Sequence, residues 1–154
     1  MNTFSKILVA AVGLCGFASV ALAQTQASSY AVSQRKAVAV SAVEHAHLLT
    51  EMNAFLSTLH DINTALSAKD FERVASLAKA MGPKGGQHDA VGESLHKALP
   101  AEWFQLARPT HQAFLAVAQE ASQNPTVDAV LAKVAVTTQQ CVACHSAFRL
   151  EIRP

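Results

Sequence analysis

The chain has 154 residues, 51% of them apolar and 15% charged, with 12 Lys and Arg against 11 Asp and Glu. That length suits about one domain, and the apolar share excludes a disordered tail. A net charge of +1 leaves no basic stripe to hold nucleic acid or an anionic membrane surface.

The opening segment, MNTFSKILVAAVGLCGFASVALAQ, has one lysine near its start, then small and apolar residues, and closes on Ala21-Leu22-Ala23. This is the pattern of an export signal cut between Ala23 and Gln24. The apolar run over residues 7–23 is short for a membrane span of about 20 residues, and no charged stop-transfer segment follows it. Cys15 follows Val12-Gly13-Leu14, and the bulky Leu14 stands where a lipoprotein site wants a small residue. Residues 1–23 are therefore expected to be a signal peptide, and 24–154 a single domain exported to the bacterial periplasm with no membrane anchor.

Gly and Pro are absent from Gln24 to Met81, which invites helix. Leu48, Met52, Phe55, Leu59, Ile62 and Leu66 recur at alternating spacings of four and three, the seam of a packed helix. Ala68-Lys69-Asp70 reads as a tight turn, with Asp70 capping a second helix striped by Phe71, Val74, Ala78 and Met81. Gly82 to Asp89 is the clearest loop. Pro100 and Pro109 bracket a short helical piece with Trp103 and Phe104, and Thr110 is placed to cap a third main helix from about His111 to Ser122. A fourth, from about Thr126, carries Val127, Leu131, Val134, Thr138, Cys141, His145, Phe148 and Ile152 as its seam. No alternating strand pattern stands out. The expectation is an all-α fold, an antiparallel four-helix bundle.

The chemistry concentrates at the carboxyl end, in Cys141-Val142-Ala143-Cys144-His145. On a helix, residues three and four apart share a face, so both thiols and the imidazole are expected to point together into the bundle. C-x-x-C-H is the attachment signature of c-type haem: two thiols form thioethers with the vinyl groups, and His145 supplies the proximal nitrogen to iron. A redox dithiol belongs near a βαβ pattern. A structural disulfide suits an exported protein but gives no reason for His145 to follow. A zinc site wants about four ligands, commonly from a second Cys/His pair, and none is evident. The expected cofactor is one covalently attached haem c per chain.

The motif continues into Phe148-Arg149, and Cys141-Val142-Ala143-Cys144-His145-x-x-Phe148-Arg149 resembles the C-x-x-C-H-x-x-aromatic-basic pattern of the class II cytochromes c. The resemblance covers essentially the whole mature chain and is most specific at this motif; elsewhere it is one of helix layout. It implies a four-helix bundle with haem near the carboxyl end, working with a redox partner protein as a monomer or as a homodimer built on the first two helices. Glu51-Met52-Asn53-Ala54-Phe55-Leu56 is similar to the low-spin members more than to cytochrome c′.

Counting along antiparallel helices narrows the sixth iron position. His145 lies 19 residues beyond Thr126, about 28 Å along a helix, and 19 residues back from Ser67 is Leu48. A turn either way makes His45, Leu48 and Met52 the seam residues available. Met52 is the expected distal ligand, since Met/His ligation raises the reduction potential and suits electron transfer; gap-filling in the core is its bland alternative. His45, about 10.5 Å earlier, would give bis-histidine ligation. If neither binds, Leu48 or Phe55 crowds an empty position. Phe148 is expected beside the haem, with Arg149 near a propionate or complementing the helix dipole, and Arg35, Arg153 and His111 as further propionate candidates. The leading expectation is single-electron transfer without enzymatic chemistry. The alternatives are capture of nitric oxide or carbon monoxide at five-coordinate iron, and peroxide turnover, which needs a distal acid/base such as His45.

Overall fold

A computed structural model describes residues 34–83, 90–123 and 125–154. The expected signal peptide, Cys15 and most of the Gly82–Asp89 loop lie outside them. The chain divides into two units, Met1–Arg35 and Lys36–Pro154, and everything below concerns the second.

It is mostly helical, with a small sheet that the sequence reading did not anticipate. The order is β1 (Lys36–Val40), α1 (Ala42–Ser67), α2 (Phe71–Ala80), α3 (Ala90–Ala98), α4 (Ala101–Ser122), α5 (Val127–Ala147) and β2 (Phe148–Ile152). The two strands pair in parallel, Lys36 opposite Phe148 through Val40 opposite Ile152. A parallel pair needs a long crossover, and here the five helices of the described residues lie within it.

Local chemistry explains the helix boundaries. Ser41 and Glu44 form a capping box at the start of α1, each side chain taking the other's backbone N–H. The turn out of α1 is a Schellman motif: Lys69 N–H donates to the Leu66 carbonyl and Asp70 N–H to that of Ala65. Its left-handed position holds Lys69, at φ 58°, where glycine is usual. Asp70 then accepts from Arg73 N–H at 3.0 Å to start α2, and Thr126 caps α5 through Ala129 N–H at 3.1 Å.

α4 corrects the expected break at Pro109. It is one helix from Ala101 to Ser122, with Pro109 inside it, and Thr110, instead of capping, donates its hydroxyl to the Leu106 carbonyl. Proline removes one intrahelical bond, but α4 packs against both α2 and α5. Burial of Phe114 and Val117 at full depth contributes about 1.5–3 kcal/mol for each such side chain. Tertiary contact overrides the local cost.

Packing runs α1 on α2, α2 on α4, α4 on α5. Among the described residues, α1 and α5 make little direct backbone contact; α4 lies against both, with Phe55 of α1 stacked on its Phe114, and β2 touches both at the other end. Two apolar clusters result. The first joins Leu59, Ile62 and Leu66 of α1, Val74 and Ala78 of α2, Phe114, Val117, Ala118 and Ala121 of α4, and Val130 and Val134 of α5. The second, at the sheet end, joins Val38, Val40, Leu48, Leu95, Leu99, Trp103 and Phe148.

Candidate functional site

The α1 seam has the expected phase, with Leu48, Leu59, Ile62 and Leu66 buried and Met52 and Phe55 half-buried. The α5 seam is rotated from expectation. Its inward stripe is Val127, Val130, Val134, Thr137, Cys141 and Cys144, while Leu131, Thr138 and His145 are exposed. The two stripes share every other residue, so one period of apolar spacing fits both. Thr137, wholly buried, resolves its polarity by donating to the Lys133 carbonyl at 3.0 Å.

Cys141 and Cys144 lie in the last two turns of α5, both half-buried and both free thiols. The Cys141 thiol points back along the helix to the Thr137 carbonyl at 3.7 Å. Desolvation pushes both thiols above the usual cysteine range, and the neighbouring Cys141 adds to the effect at Cys144. A reactive dithiol needs the opposite: a helix N-terminus or nearby cations that lower the pKa. These thiols sit at a helix C-terminus, where the backbone dipole opposes a thiolate. Their surroundings therefore favour the uncharged thiols. Among the described residues, no group of three or more His, Cys, Asp and Glu is disposed to hold a metal ion.

His145 is exposed, not on the buried seam. Helical geometry puts it about 100° around the axis from Cys144, on the rim of the face the two cysteines share. The α5 helix ends two residues later instead of continuing through Ile152: the Phe148 N–H still bonds the Cys144 carbonyl, but Phe148 adopts extended geometry and begins β2.

Met52 and Cys144 pack on the same sheet-end cluster, with Phe104 and Leu106 of α4. Phe148 is buried there against Trp103, ring centroids 5.4 Å apart. Leu48, one turn before Met52, is also buried in this cluster. His45 is half-buried two turns before Met52.

Phe55 is not with them. It packs on the other cluster, stacked on Phe114 at 5.5 Å and edge-on to His111 at 5.3 Å. His111 Nδ1 donates to the Met81 carbonyl at 2.8 Å, since a carbonyl only accepts, and so ties α4 to the end of α2. Arg149 extends from the strand, not a helical turn, and pairs with Glu151 two residues on.

The sequence reading missed Glu44 altogether. The residue is 3% exposed. One oxygen accepts from the Ser94 hydroxyl at 2.7 Å; the other accepts from Ser41 N–H and from the Arg153 guanidinium, each at 2.7 Å. The Ser94 bond first, then the Ser41 N–H, outweigh desolvation and, with Arg153 adding, hold the carboxyl at about 2. The capping-box spacing Ser41-x-x-Glu44 was the available signal, but it says nothing of Ser94 or Arg153.

Comparison of the chain with protein-family models, with curated proteins and with solved structures gives no match. Among the described residues, no helix is long and apolar enough to cross a membrane.

Proposed function

We propose that the chain is an exported class II-type cytochrome c that carries single electrons: a helical bundle of α1, α2, α4 and α5 holding one covalent haem c at its sheet end. Cys141 and Cys144 would form the thioethers, His145 would be the proximal ligand and Met52 the distal one. The observation that carries this reading is the pair of free, half-buried, pKa-raised thiols at C-x-x-C-H spacing, one of which shares an apolar cluster with Met52. When bound, the haem supplies an iron that gains or loses one electron. The chain's own part is to exclude water through Leu48, Trp103, Phe104 and Phe148, to present a thioether from α1 and to restrict movement around the site. The periplasm and a redox partner protein follow from the export signal and from electron carriage. The match of the motif to the class II pattern supports the same reading.

A second reading rests on Leu48. It is buried in the same cluster and stands level with His145 in an antiparallel count, so it can crowd an empty sixth position. The protein would then capture carbon monoxide or nitric oxide at five-coordinate iron.

Export from a bacterium competent in c-type haem maturation tests both. The mature chain is expected to gain the mass of one haem, lost in Cys141→Ala/Cys144→Ala, and its ferric spectrum is expected to show a sulfur-to-iron charge-transfer band, lost in Met52→Ala. A mature chain without added macrocycle overturns both readings; a haem protein with high-spin iron and no such band selects the second.

A further inference from the structure

α1 and α5 make little direct backbone contact, so the elements that bridge them set their separation. α1 carries Met52 and α5 carries Cys141, Cys144 and His145; α4 bridges them in the first cluster, where Phe55 stacks on Phe114, and at the sheet end β2 touches both. β2 leaves α5 without a linker at Phe148 and pairs along β1, which leads into α1 through Ser41. The ladder is extended by Arg153, whose N–H donates to the Val40 carbonyl at 2.8 Å. The Arg153 side chain then turns onto Glu44, in the first turn of α1, where Ser94 of α3 joins the same carboxylate.

The arrangement is asymmetric. The Glu44 side chain is 4% exposed and that of Arg153 49%. A carboxylate this deep is costly unless fully bonded, and here its bonds come from three separate segments. Capping α1 needs only the exchange with Ser41, so the bonds from α3 and the terminal strand serve something other than the cap. Glu44 stands eight residues before Met52 on one continuous helix, about 12 Å, and Arg153 eight residues beyond His145.

We infer that Glu44, with Arg153 and Ser94, is a positioning lock that holds the helix bearing Met52 against the strand growing out of the motif helix, and so keeps the thioether on the iron. The inference rests on the cytochrome reading above and deepens it. A neutral thioether keeps its place only if the helices on either side are held in register. Releasing the lock raises the fraction of molecules with the sixth position open, and an external ligand's apparent affinity rises in proportion to that fraction.

The test compares the exported haem protein with Glu44→Gln, Arg153→Met, Met52→Ala and Val74→Ala. Val74 is wholly buried in the other cluster and reports simple destabilisation. Ferrous carbon monoxide affinity is expected to rise most in Met52→Ala, by about tenfold in Glu44→Gln, less in Arg153→Met, and not at all in Val74→Ala. Hydrogen exchange at the Arg153 amide is expected to quicken in Glu44→Gln and Arg153→Met alone. Should Glu44→Gln fail to fold, Arg153→Met, altering the exposed partner, carries the comparison. Faster exchange with wild-type carbon monoxide affinity overturns the lock while leaving the cytochrome reading intact. Unchanged affinity in Met52→Ala overturns the distal assignment and the lock with it.

Discussion

The two ends of the molecule are built differently. At the turn end, Ile62, Val74, Phe114, Val117 and Val130 are wholly buried, and four helices meet in one mainly apolar cluster. At the sheet end, Met52, Phe104 and Cys144 remain half-buried, a buried carboxylate stitches three segments together, and α1 and α5 each touch β2. The closed end is what dense packing produces when nothing but stability is asked of it. The open end carries Met52 and Cys144 and is tied together by polar bonds and a strand pair as well as by apolar packing.

The sharpest way to break this contrast is Phe114→Ala. A wholly buried aromatic removed from the closed end is expected to cost about 3–5 kcal/mol, read as a lower urea midpoint with an unchanged slope. A cost under about 1 kcal/mol would mean that the closed end is loosely packed after all.

Acid probes the open end. The Glu44 carboxyl sits at about 2, below its ordinary 4.5, so the native state binds its proton less readily than the unfolded chain does. Its stabilising contribution is full above the unfolded value and is lost as pH falls from there through about 2. The stability gap between wild type and Glu44→Gln is therefore expected to be constant near neutrality and to shrink steadily as acid is added, as urea midpoints across that window would record. A gap independent of pH would mean that the lock works through shape and not charge.

The smallest effect belongs to the rim. Lys36 Nζ and Glu102 lie 3.4 Å apart with side chains 55% and 59% exposed, and Lys36→Ala is expected to change the thermal midpoint by the equivalent of no more than about 0.5 kcal/mol. A larger loss would show that the start of β1 is tied down more firmly than its exposure implies.

Legibility in the sequence followed the same division. The α1 stripe, the Asp70 cap and the α2 stripe were readable because each depends on neighbours within a few residues. On α5 the same reasoning chose the wrong half of two overlapping stripes. Val127, Val134 and Cys141 belong to both, and only contact with α4 decides that Val130, Thr137 and Cys144 turn inward while Leu131, Thr138 and His145 turn out. Phe148 and Ile152 misled for a related reason: a spacing of four fits a strand as well as a helix, and Phe-Arg-Leu-Glu-Ile alternates as a strand does. Pro109 shows the converse, a strong local signal overruled by packing on both sides.

By itself the sequence determined the helical class, the caps that start α1, α2 and α5, and the C-x-x-C-H spacing at the carboxyl end, all of them interactions within a turn or two of chain. Only the tertiary structure decided which flank of α5 faces inward, that the five residues of β2 leave the helix to pair with β1, and that Glu44 gathers bonds from Ser94 and Arg153. The strand pair joins residues 112 positions apart and the partners of Glu44 lie 50 and 109 positions away, and no local pattern of spacing or propensity encodes which distant partner a strand or a carboxylate will meet.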